Sequence, residues 1–318
     1  MRRILAPVLA SVLLLAACGG GGEEEQNASG ATIETKFGAV EVPKDPKRVV
    51  ALGWGDAETA LALGVQPIGA SDWVEFGGKG VGPWAEDLYD EKPELIATME
   101  PDYEAVAALE PDLILDTKSS GEQERYDRLS EIAPTVGAPE GGDNYLTSMD
   151  QQVDLVSQAL GKEDEGKKAL KDLDETFASA RKDHPEFDGK SVAVAAKTSE
   201  GWGAYVEESE RVQFMEKLGF EQSKKVAALK ATGFTAPVSE EKLEDLDADL
   251  LVTFPIYIPD AEVTDDPAFK RIPAVEDGRS LVLTEDKDEV RQAFSLNSVL
   301  SAKYAAEHLP DELAKVVD

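Results

Sequence analysis

The sequence predicts an α/β protein made of two similar α/β lobes that are joined by one long helix, with a ligand cleft between the lobes. Three observations lead to this prediction. Short β-branched runs alternate with helical patterns, one helix-then-strand unit occurs twice, and a long amphipathic segment separates the two copies.

The alternation of strands and helices is typical of an α/β fold. The predicted strands are Arg48–Leu52, Gln66–Ala70, Leu113–Leu115, Ser191–Ala195, Leu250–Phe254 and Ser280–Leu283. The predicted helices are Ala57–Leu63, Tyr103–Leu109, Arg125–Ile132, Met149–Leu160, Arg211–Leu218, Glu240–Leu246 and Ser298–His308.

One helix-then-strand unit occurs twice. Each residue of Asp102–Leu115 lies 137 positions before its counterpart in Ser239–Val252. Both segments begin with a residue type that caps helix N-termini, and both place a glutamate, Glu104 or Glu241, in the first helical turn. Helix–strand units resemble one another in many proteins, but the constant spacing favours a duplicated lobe.

The segment Lys162–His184 separates the two copies. Its apolar residues form one stripe of a helix of roughly five to six turns, and Pro185 ends it. We therefore predict an N-terminal lobe over residues 32–161, a connecting helix with its terminating Pro185 over 162–185 and a C-terminal lobe over 186–318. A long helix between two lobes limits how far they open and leaves a cleft between them.

The first residues predict export. Two arginines precede the apolar run Ile4–Ala17, which is shorter than the ~20 residues that span a bilayer, so residues 1–18 are predicted to be a signal peptide. Leu15–Cys18 resembles the bacterial lipobox, in which the cysteine receives a lipid. We therefore expect an extracytoplasmic protein that is anchored to the cell membrane through Cys18.

Two further features of this region support the anchor. Cys18 is the only cysteine of the chain, so it has no partner for a disulfide bond. Residues 19–31 are rich in glycine, glutamate and other polar residues, and they are predicted to be a flexible tether. The alternative is an ordinary signal peptide in which the cysteine has no role.

The composition is strongly acidic. The chain has 64 acidic against 32 basic residues and a formal net charge of −32. Nucleic-acid binding is disfavoured because it requires a basic patch. The acidic residues are spread along the chain, which is typical of a solvated surface, and a saline habitat is a second explanation that the sequence leaves open.

The residue types that most enzymes need are scarce. The chain has two histidines, His184 and His308, and neither is near a nucleophile in the sequence. It has no G-x-S-x-G, P-loop or H-E-x-x-H motif. We therefore expect no catalytic residues, no metal ligands and no permanently bound cofactor. Paired carboxylates remain the one enzymatic alternative.

Aromatic and basic residues follow the predicted strands. Ligands of open α/β sheets bind beyond the carboxyl ends of the strands, so these side chains are predicted to line an aromatic cleft suited to a bulky, partly apolar ligand. Each residue alone could instead be a packing anchor. The candidates are Trp54, Trp73, Lys118, Trp202, Tyr205 and Tyr257.

Several segments together resemble the ferric-siderophore substrate-binding lipoproteins of ABC importers, a group that includes cobalamin and haem receptors. Besides the lipobox, the segments that carry the resemblance are Pro46–Leu52, Leu63–Gly69, Leu109–Leu115, Tyr126–Val136, Ala274–Arg279 and Phe294–Ser301. The resemblance covers essentially the whole mature chain. It implies the class III periplasmic-binding-protein fold, with two lobes on a helical spine.

The resemblance also implies partners and residue roles. A monomeric receptor of this family captures an iron chelate and delivers it to a dimeric membrane permease. One glutamate per lobe docks on permease arginines, and the matching positions are Glu104 and Glu241. By position, the resemblance adds Arg291 to the ligand-contact candidates. Arg211 is undecided between a ligand contact and the start of a helix.

The ligand class follows from charge. Ferric hydroxamates are neutral or weakly cationic, whereas ferric tricatecholates carry several negative charges and require a cluster of basic residues. Aromatic residues outnumber basic ones in the candidate loops, so a hydroxamate is slightly favoured. The alternatives are a cobalamin or haem receptor and, in a different class, an extracytoplasmic enzyme or adhesion module on the same fold.

Overall fold

The computed structural model describes residues 29–97 and 99–317. It contains two mainly parallel sheets with helices on both faces, which is the predicted α/β class. Cys18 and most of the predicted tether lie outside the described residues. The last three residues of that predicted tether lie in a strand, because the first strand begins at Ser29.

The N-terminal lobe contains an antiparallel hairpin, β1–β2, and a parallel sheet with the strand order β5-β4-β3-β6-β7. Residues of β3 alternate between two cores. Val49 and Ala51 face the hairpin and the helix at 149–160, whereas Val50 faces the helices at 103–108 and 123–130. The strands are β1 Ser29–Thr35, β2 Gly38–Pro43, β3 Val49–Ala51, β4 Gly69–Ser71, β5 Glu94–Ile96, β6 Leu113–Leu115 and β7 Thr135–Val136.

The C-terminal lobe has one sheet with the order β11-β9-β8-β12-β13, and β10 pairs with β8. Strands β8, β10, β12 and β13 run parallel. Strand β9 pairs antiparallel with β8 on one side and with β11 on the other, and β11 forms the edge of the sheet. The sequence did not predict β9 or β11. The strands are β8 Ser191–Thr198, β9 Gly201–Tyr205, β10 Glu221–Gln222, β11 Thr235–Val238, β12 Leu250–Pro255 and β13 Ser280–Val282.

The helices flank both sheets. Seven α-helices have six or more residues within the described ranges outside the connecting helix, and shorter ones join the strands. In chain order, and with the connecting helix as α5, the α-helices of the described residues are α1 Asp56–Ala62, α2 Tyr103–Ala108, α3 Gln123–Ser130, α4 Met149–Leu160, α5 Glu163–Asp183, α6 Glu210–Lys217, α7 Lys224–Ala227, α8 Ala261–Thr264, α9 Pro273–Glu276, α10 Asp288–Leu296 and α11 Val299–Leu313. Short 3₁₀ helices cover 86–88, 185–187, 240–246, 269–271 and 285–287.

The connecting helix α5 spans Glu163–Asp183, within one residue of the predicted helix at each end. It buries Leu173 and Phe177 in the core of the C-terminal lobe and packs against α4 and α11. Because α11 also packs against α1, the two lobes meet through the connecting helix and through the C-terminal helix. Among the described residues, no helix is long and apolar enough to cross a membrane.

The duplicated unit occupies equivalent places in the two sheets. The strand that ends the first copy, β6, pairs with β3, and the strand that ends the second copy, β12, pairs with β8. The helices differ in their caps. The Asp102 side chain accepts two backbone N–H groups, whereas Ser239 makes no side-chain cap bond and starts a 3₁₀ helix.

Candidate functional site

A cleft of about 1070 Å³ lies between the lobes, beyond the carboxyl ends of strands from both sheets. Both lobes line it. Residues that follow β3, β4 and β5 form one side, whereas β9, the start of α6, β11 and the segment after β12 form the other. Of the sequence-predicted candidates, the structure brings five to this cleft: Trp54, Trp73, Trp202, Tyr205 and Tyr257.

A continuous aromatic wall runs through the cleft. The Trp54 ring stacks on Trp73 with centroids 4.2 Å apart, and on its other side it stacks on Tyr145 at 3.9 Å. Phe234 of the opposite lobe contacts the edge of Trp54 at 6.1 Å and stacks near Tyr205 at 6.2 Å. Aromatic rings therefore extend from one lobe to the other.

Backbone hydrogen bonds fix Trp54 at the base of this wall. Its N–H donates to the Lys118 carbonyl at 2.9 Å, and its carbonyl accepts from the Gln152 side chain at 2.8 Å. Gly55 follows with a φ of 80°, a left-handed conformation that glycine adopts at little cost, and it begins α1. The chain therefore turns sharply after β3 and leaves the indole in the cleft.

Arg211 provides the positive charge of the cleft. It is 7% exposed, donates to the Ser295 carbonyl and lies over the rings of Tyr205 (4.7 Å) and Trp73 (5.7 Å). No carboxylate of the described residues lies within 4.0 Å of its guanidinium. Burial lowers its pKa, but an arginine stays charged. The residue lies in the first turn of α6 and lines the cleft.

Three buried donors at the cleft lack a hydrogen-bond partner within the part of the chain that the structure describes. They are Arg211 Nε, Trp54 Nε1 and Trp73 Nε1. Buried polar groups are almost always hydrogen-bonded in proteins. A ligand that exposes oxygen atoms could satisfy these donors.

The rim of the cleft is acidic. Of the described residues that line the cleft, Arg211 is the one cation, and four are carboxylates: Asp72, Glu75, Glu100 and Glu200. A chelate with several negative charges would meet repulsion from them at close range. The cleft therefore combines one buried positive charge with a negative entrance.

Lys118, one of the predicted ligand residues, does not line the cleft. It lies behind the aromatic wall, and its ammonium forms a buried ion pair with Glu210 of the other lobe. Burial, and then the neighbouring Arg211 guanidinium, lower the pKa of Lys118 to about 7. The nearby Asp56 carboxylate works in the opposite direction, because a negative charge favours the ammonium form.

Arg291 and Tyr257 lie at the edge of the cleft. Arg291 lines a neighbouring pocket of about 440 Å³, where it pairs with Asp288 and lies 3.8 Å from Asp260. Tyr257 borders both cavities, is 67% exposed and donates a hydrogen bond to the Trp73 carbonyl across the lobes. Unlike Arg211, the guanidinium of Arg291 is therefore already paired with a carboxylate.

The structure adds three residues that the sequence analysis missed. Tyr145 stacks on the wall, and Phe234 and Met99 line the cleft. None of them follows a predicted strand. Phe234 lies between Gly233 and β11, whose residues alternate between more and less buried positions. This pattern is the signal that could have found Phe234. Trp202 also differs from expectation, because it lies inside β9 and not in a loop.

The buried acids with raised pKa values lie beneath the cleft and do not line it. Burial raises the pKa of Asp56 to about 6, although Thr117 and Gln152 donate hydrogen bonds to it. Burial likewise raises the pKa of Glu58, which accepts from Trp84 and from Ser298 of the other lobe. Glu58 therefore supports the lobe interface, whereas Asp56 accepts its hydrogen bonds within the N-terminal lobe.

The remaining predicted residues lie elsewhere. Glu104 is exposed in the first turn of α2, and Glu241 is exposed in the first turn of the 3₁₀ helix at 240–246. His184 and His308 lie outside the cleft. Among the described residues, no group of three or more His, Cys, Asp or Glu side chains is arranged to hold a metal ion.

Residues 49–287 match the periplasmic binding protein family, and the chain belongs to that family. Its members are binding proteins, and the fold is that of the class III group. The resemblance found in the sequence is confirmed.

Two curated relatives are named for siderophore or petrobactin binding. A probable siderophore-binding lipoprotein of Bacillus subtilis, YfiY, is 33% identical over 67% of this chain and 65% of its own length. The petrobactin-binding protein YclQ of the same organism is 30% identical over 49% of this chain and 48% of its own length. The matched part of this chain thus spans about half to two thirds of these relatives.

Solved structures match nearly the whole described chain. A periplasmic solute-binding protein of Mycobacterium smegmatis has a TM-score of 0.76 and 30% identity, covering 90% of this chain and 98% of that one. Streptococcus pneumoniae PiaA in complex with ferrichrome has a TM-score of 0.77 and 26% identity, with the same coverage. The predicted two-lobed architecture is confirmed.

Proposed function

We propose that this protein is an extracytoplasmic receptor that captures a ferric siderophore in the interlobe cleft and delivers it to an ABC-transporter permease. The observation that carries the proposal is the aromatic cleft with Arg211 at its floor and no carboxylate within 4.0 Å of the guanidinium among the described residues. A chelate that already encloses its iron needs stacking surfaces and donors to its oxygen atoms, and it needs no protein metal ligands.

Charge favours a neutral or singly anionic chelate. One guanidinium faces four carboxylates at the rim, so a chelate with several negative charges loses more by repulsion than it gains from Arg211. The oxygen atoms of a ferric hydroxamate can accept from Arg211 Nε and from the two indole N–H groups. We therefore keep the hydroxamate class as the favoured ligand.

The ligand proposal is tested by titration of the full-length chain, purified in mild detergent, with tryptophan fluorescence as the readout. Trp54 and Trp73 line the cleft, so a bound chelate should quench them. Ferrichrome, ferric dicitrate, ferric enterobactin, haem and cobalamin are compared, with ferrichrome expected to bind in the submicromolar range. Binding of haem or cobalamin alone would overturn the proposal in favour of the other receptor class.

We propose further that the protein has no enzymatic activity and acts as a monomer. The support is that the carboxylates with raised pKa values, Asp56 and Glu58, do not line the cleft and so cannot act on a ligand there. Incubation with ferrichrome followed by mass spectrometry should return the chelate unchanged. A hydrolysed chelate would contradict this part of the proposal.

Delivery depends on the docking residues. The support for Glu104 and Glu241 is their exposed, equivalent placement in the two copies of the duplicated unit. Replacing both by alanine should abolish uptake of radiolabelled ferric chelate by cells and leave the affinity of the purified protein unchanged. A matched control replaces the exposed Glu124 and Glu276, which should leave uptake intact. Lost affinity in the first variant would contradict the docking role.

Anchoring is proposed at Cys18, and the relatives named as lipoproteins support it. Cys18→Ser should move the protein from the membrane fraction to the medium or periplasm, as measured by fractionation and immunoblotting. Membrane retention of the variant would contradict the lipid anchor. A tethered receptor has a high effective concentration near its permease.

A further inference from the structure

A buried ion pair crosses the lobe interface directly behind Arg211. Lys118 follows β6 in the N-terminal lobe, and Glu210 is the first residue of α6 in the C-terminal lobe. The side chains of Lys118 and Glu210 are 6% and 8% exposed. The pair is thus shielded from water and is made jointly by the two lobes.

Both partners are held in place by their own lobe. The Lys118 carbonyl accepts from the Trp54 N–H at 2.9 Å, so Lys118 is joined to the aromatic wall. The Glu210 carbonyl accepts from the Asn297 side chain at 2.9 Å, and Ser209 caps the helix that Glu210 begins. The geometry of the ion pair therefore depends on how the two lobes are positioned relative to each other.

Arg211 depends on the same relative position. Its guanidinium lies between Tyr205 of its own lobe and Trp73 of the other, and it donates to the Ser295 carbonyl. No carboxylate of the described residues orients it, so its direction is set by Tyr205 and Ser295 of its own lobe and by Trp73 of the other. A shift of α6 against the N-terminal lobe would move the guanidinium away from Trp73.

Stability alone gives a weak reason for such a pair. Burying two charges costs about as much as their attraction returns, and apolar residues of similar volume often stabilise a protein as well or better. The best-attested use of a buried ion pair is to fix the register between two elements. Here the elements are the two sides of a binding cleft.

We infer that Lys118 and Glu210 are positioning residues, which fix α6 against the N-terminal lobe and thereby hold Arg211 at the cleft floor without touching the ligand. The inference rests on the proposed function, because it assigns Arg211 to the ligand. It also gives Lys118 a role other than the predicted ligand contact.

A double-mutant cycle tests the inference, with ferric dicitrate and ferrichrome as probes for the full-length chain. Glu210→Gln should lower the affinity for the tighter-binding probe about tenfold in the natural background. In an Arg211→Gln background, Glu210→Gln should lower the affinity less than about twofold, because the guanidinium that it would misplace is already absent. Equal losses in both backgrounds would show general structural damage and overturn the inference, as would unchanged affinity in the natural background.

Two further variants keep the test decisive if Glu210→Gln folds poorly. Lys118→Met combined with Glu210→Met leaves no buried charge, and it should show the same loss of about tenfold, because an apolar pair does not define the register. Natural affinity in this variant would overturn the inference. Arg279→Gln, which removes an ion pair before β13 at the opposite end of the sheet, should lower stability with affinity unchanged.

A distance measurement separates this inference from the proposed function. Spin labels on cysteines at the exposed positions Glu124 and Glu276 report the distance between the lobes in a Cys18→Ser background. The paired methionine variant should broaden or shift this distance relative to natural Lys118 and Glu210. An unchanged interlobe distance in the paired methionine variant overturns the inference, whichever ligand the protein binds. If the natural protein binds no ferric chelate, only the proposed function is overturned.

Discussion

The two lobes contribute unlike surfaces to the cleft. The N-terminal lobe contributes a stack of Trp54, Trp73 and Tyr145, which all lie outside regular strands and helices. The C-terminal lobe contributes Tyr205 from within β9 and Arg211 from the first turn of α6. The area for stacking thus comes from loops, and the charge comes from regular elements whose backbone is fixed by hydrogen bonds.

This difference indicates which residues determine ligand selectivity. An aromatic stack offers a flat apolar surface that carries no charge, so it suits chelates of several outlines. A guanidinium on a helix within a packed interface has little freedom and responds to the charge and donor pattern of a ligand. We therefore expect substitutions in the N-terminal lobe to weaken all chelates alike, and the substitution of Arg211 to discriminate between them.

The first prediction concerns the support beneath the N-terminal stack. Asp56 is buried and its pKa is raised to about 6 from an ordinary value of 3.8. A raised carboxyl pKa stabilises the folded protein fully below the unfolded-state pKa, and this stabilisation is lost as the pH rises through the folded-state value. Asp56→Asn should remove that dependence, which amounts to about 3 kcal/mol in the free energy of unfolding.

Denaturant unfolding from about pH 4 to about pH 7 measures this change. The free energy of unfolding of Asp56→Asn, relative to the natural protein, should rise across that window. The exposed Asp45→Asn variant is the control and should follow the natural protein. A constant difference between Asp56→Asn and the natural protein would show that the buried carboxyl does not titrate in that window.

The second prediction concerns the charge of the C-terminal lobe. Arg211→Gln should lower the affinity for the best-binding ferric chelate about a hundredfold, because charge-assisted hydrogen bonds in a buried site are the strong ones. Fluorescence titration measures the loss. Arg291→Gln is the matched control and should change affinity much less, because Arg291 already pairs with Asp288. Equal losses would place the ligand between the two pockets and not in the main cleft.

The third prediction concerns the stack itself. Trp54→Leu should lower the affinity for neutral and anionic chelates alike by about tenfold, since it removes aromatic contact area and no charge. Titration with ferrichrome and ferric dicitrate measures this. Phe37→Leu is the control, because Phe37 stacks on Tyr126 outside the cleft. A loss confined to one chelate would contradict the division of roles between the lobes.

Much of the fold was predictable from the sequence because its signals are local. The connecting helix is marked by one apolar stripe and by Pro185, and its observed bounds differ from the predicted ones by one residue at each end. The buried parallel strands β6 and β12 read as continuous apolar runs. The antiparallel strands β9 and β11 were missed because Gly203 and Pro237 interrupt their patterns. Strand β11 is at the edge of the sheet, where proline is tolerated.

The candidate site was predictable only in outline. Aromatic residues after strands lie in the cleft because the carboxyl ends of parallel strands meet at one edge of a sheet. Tyr145 and Phe234 were missed because tertiary packing, and no local pattern, brings them to Trp54. Lys118 follows β6 as the rule requires, but its partner Glu210 lies in the other lobe, 92 residues further along the chain. Sequence spacing does not reveal such pairs.

The smallest expected effect concerns a hydrogen bond that a cleft side chain of the C-terminal lobe donates to the N-terminal stack. The Tyr257 hydroxyl donates to the Trp73 carbonyl, but the tyrosine is 67% exposed, so water can replace the bond. Tyr257→Phe keeps the ring and should change chelate affinity by about twofold at most. Parallel fluorescence titrations of Tyr257→Phe and Trp54→Leu measure the two changes in affinity. A loss as large as that of Trp54→Leu would mean that the stack depends on the C-terminal lobe, and the two walls would then act as one unit.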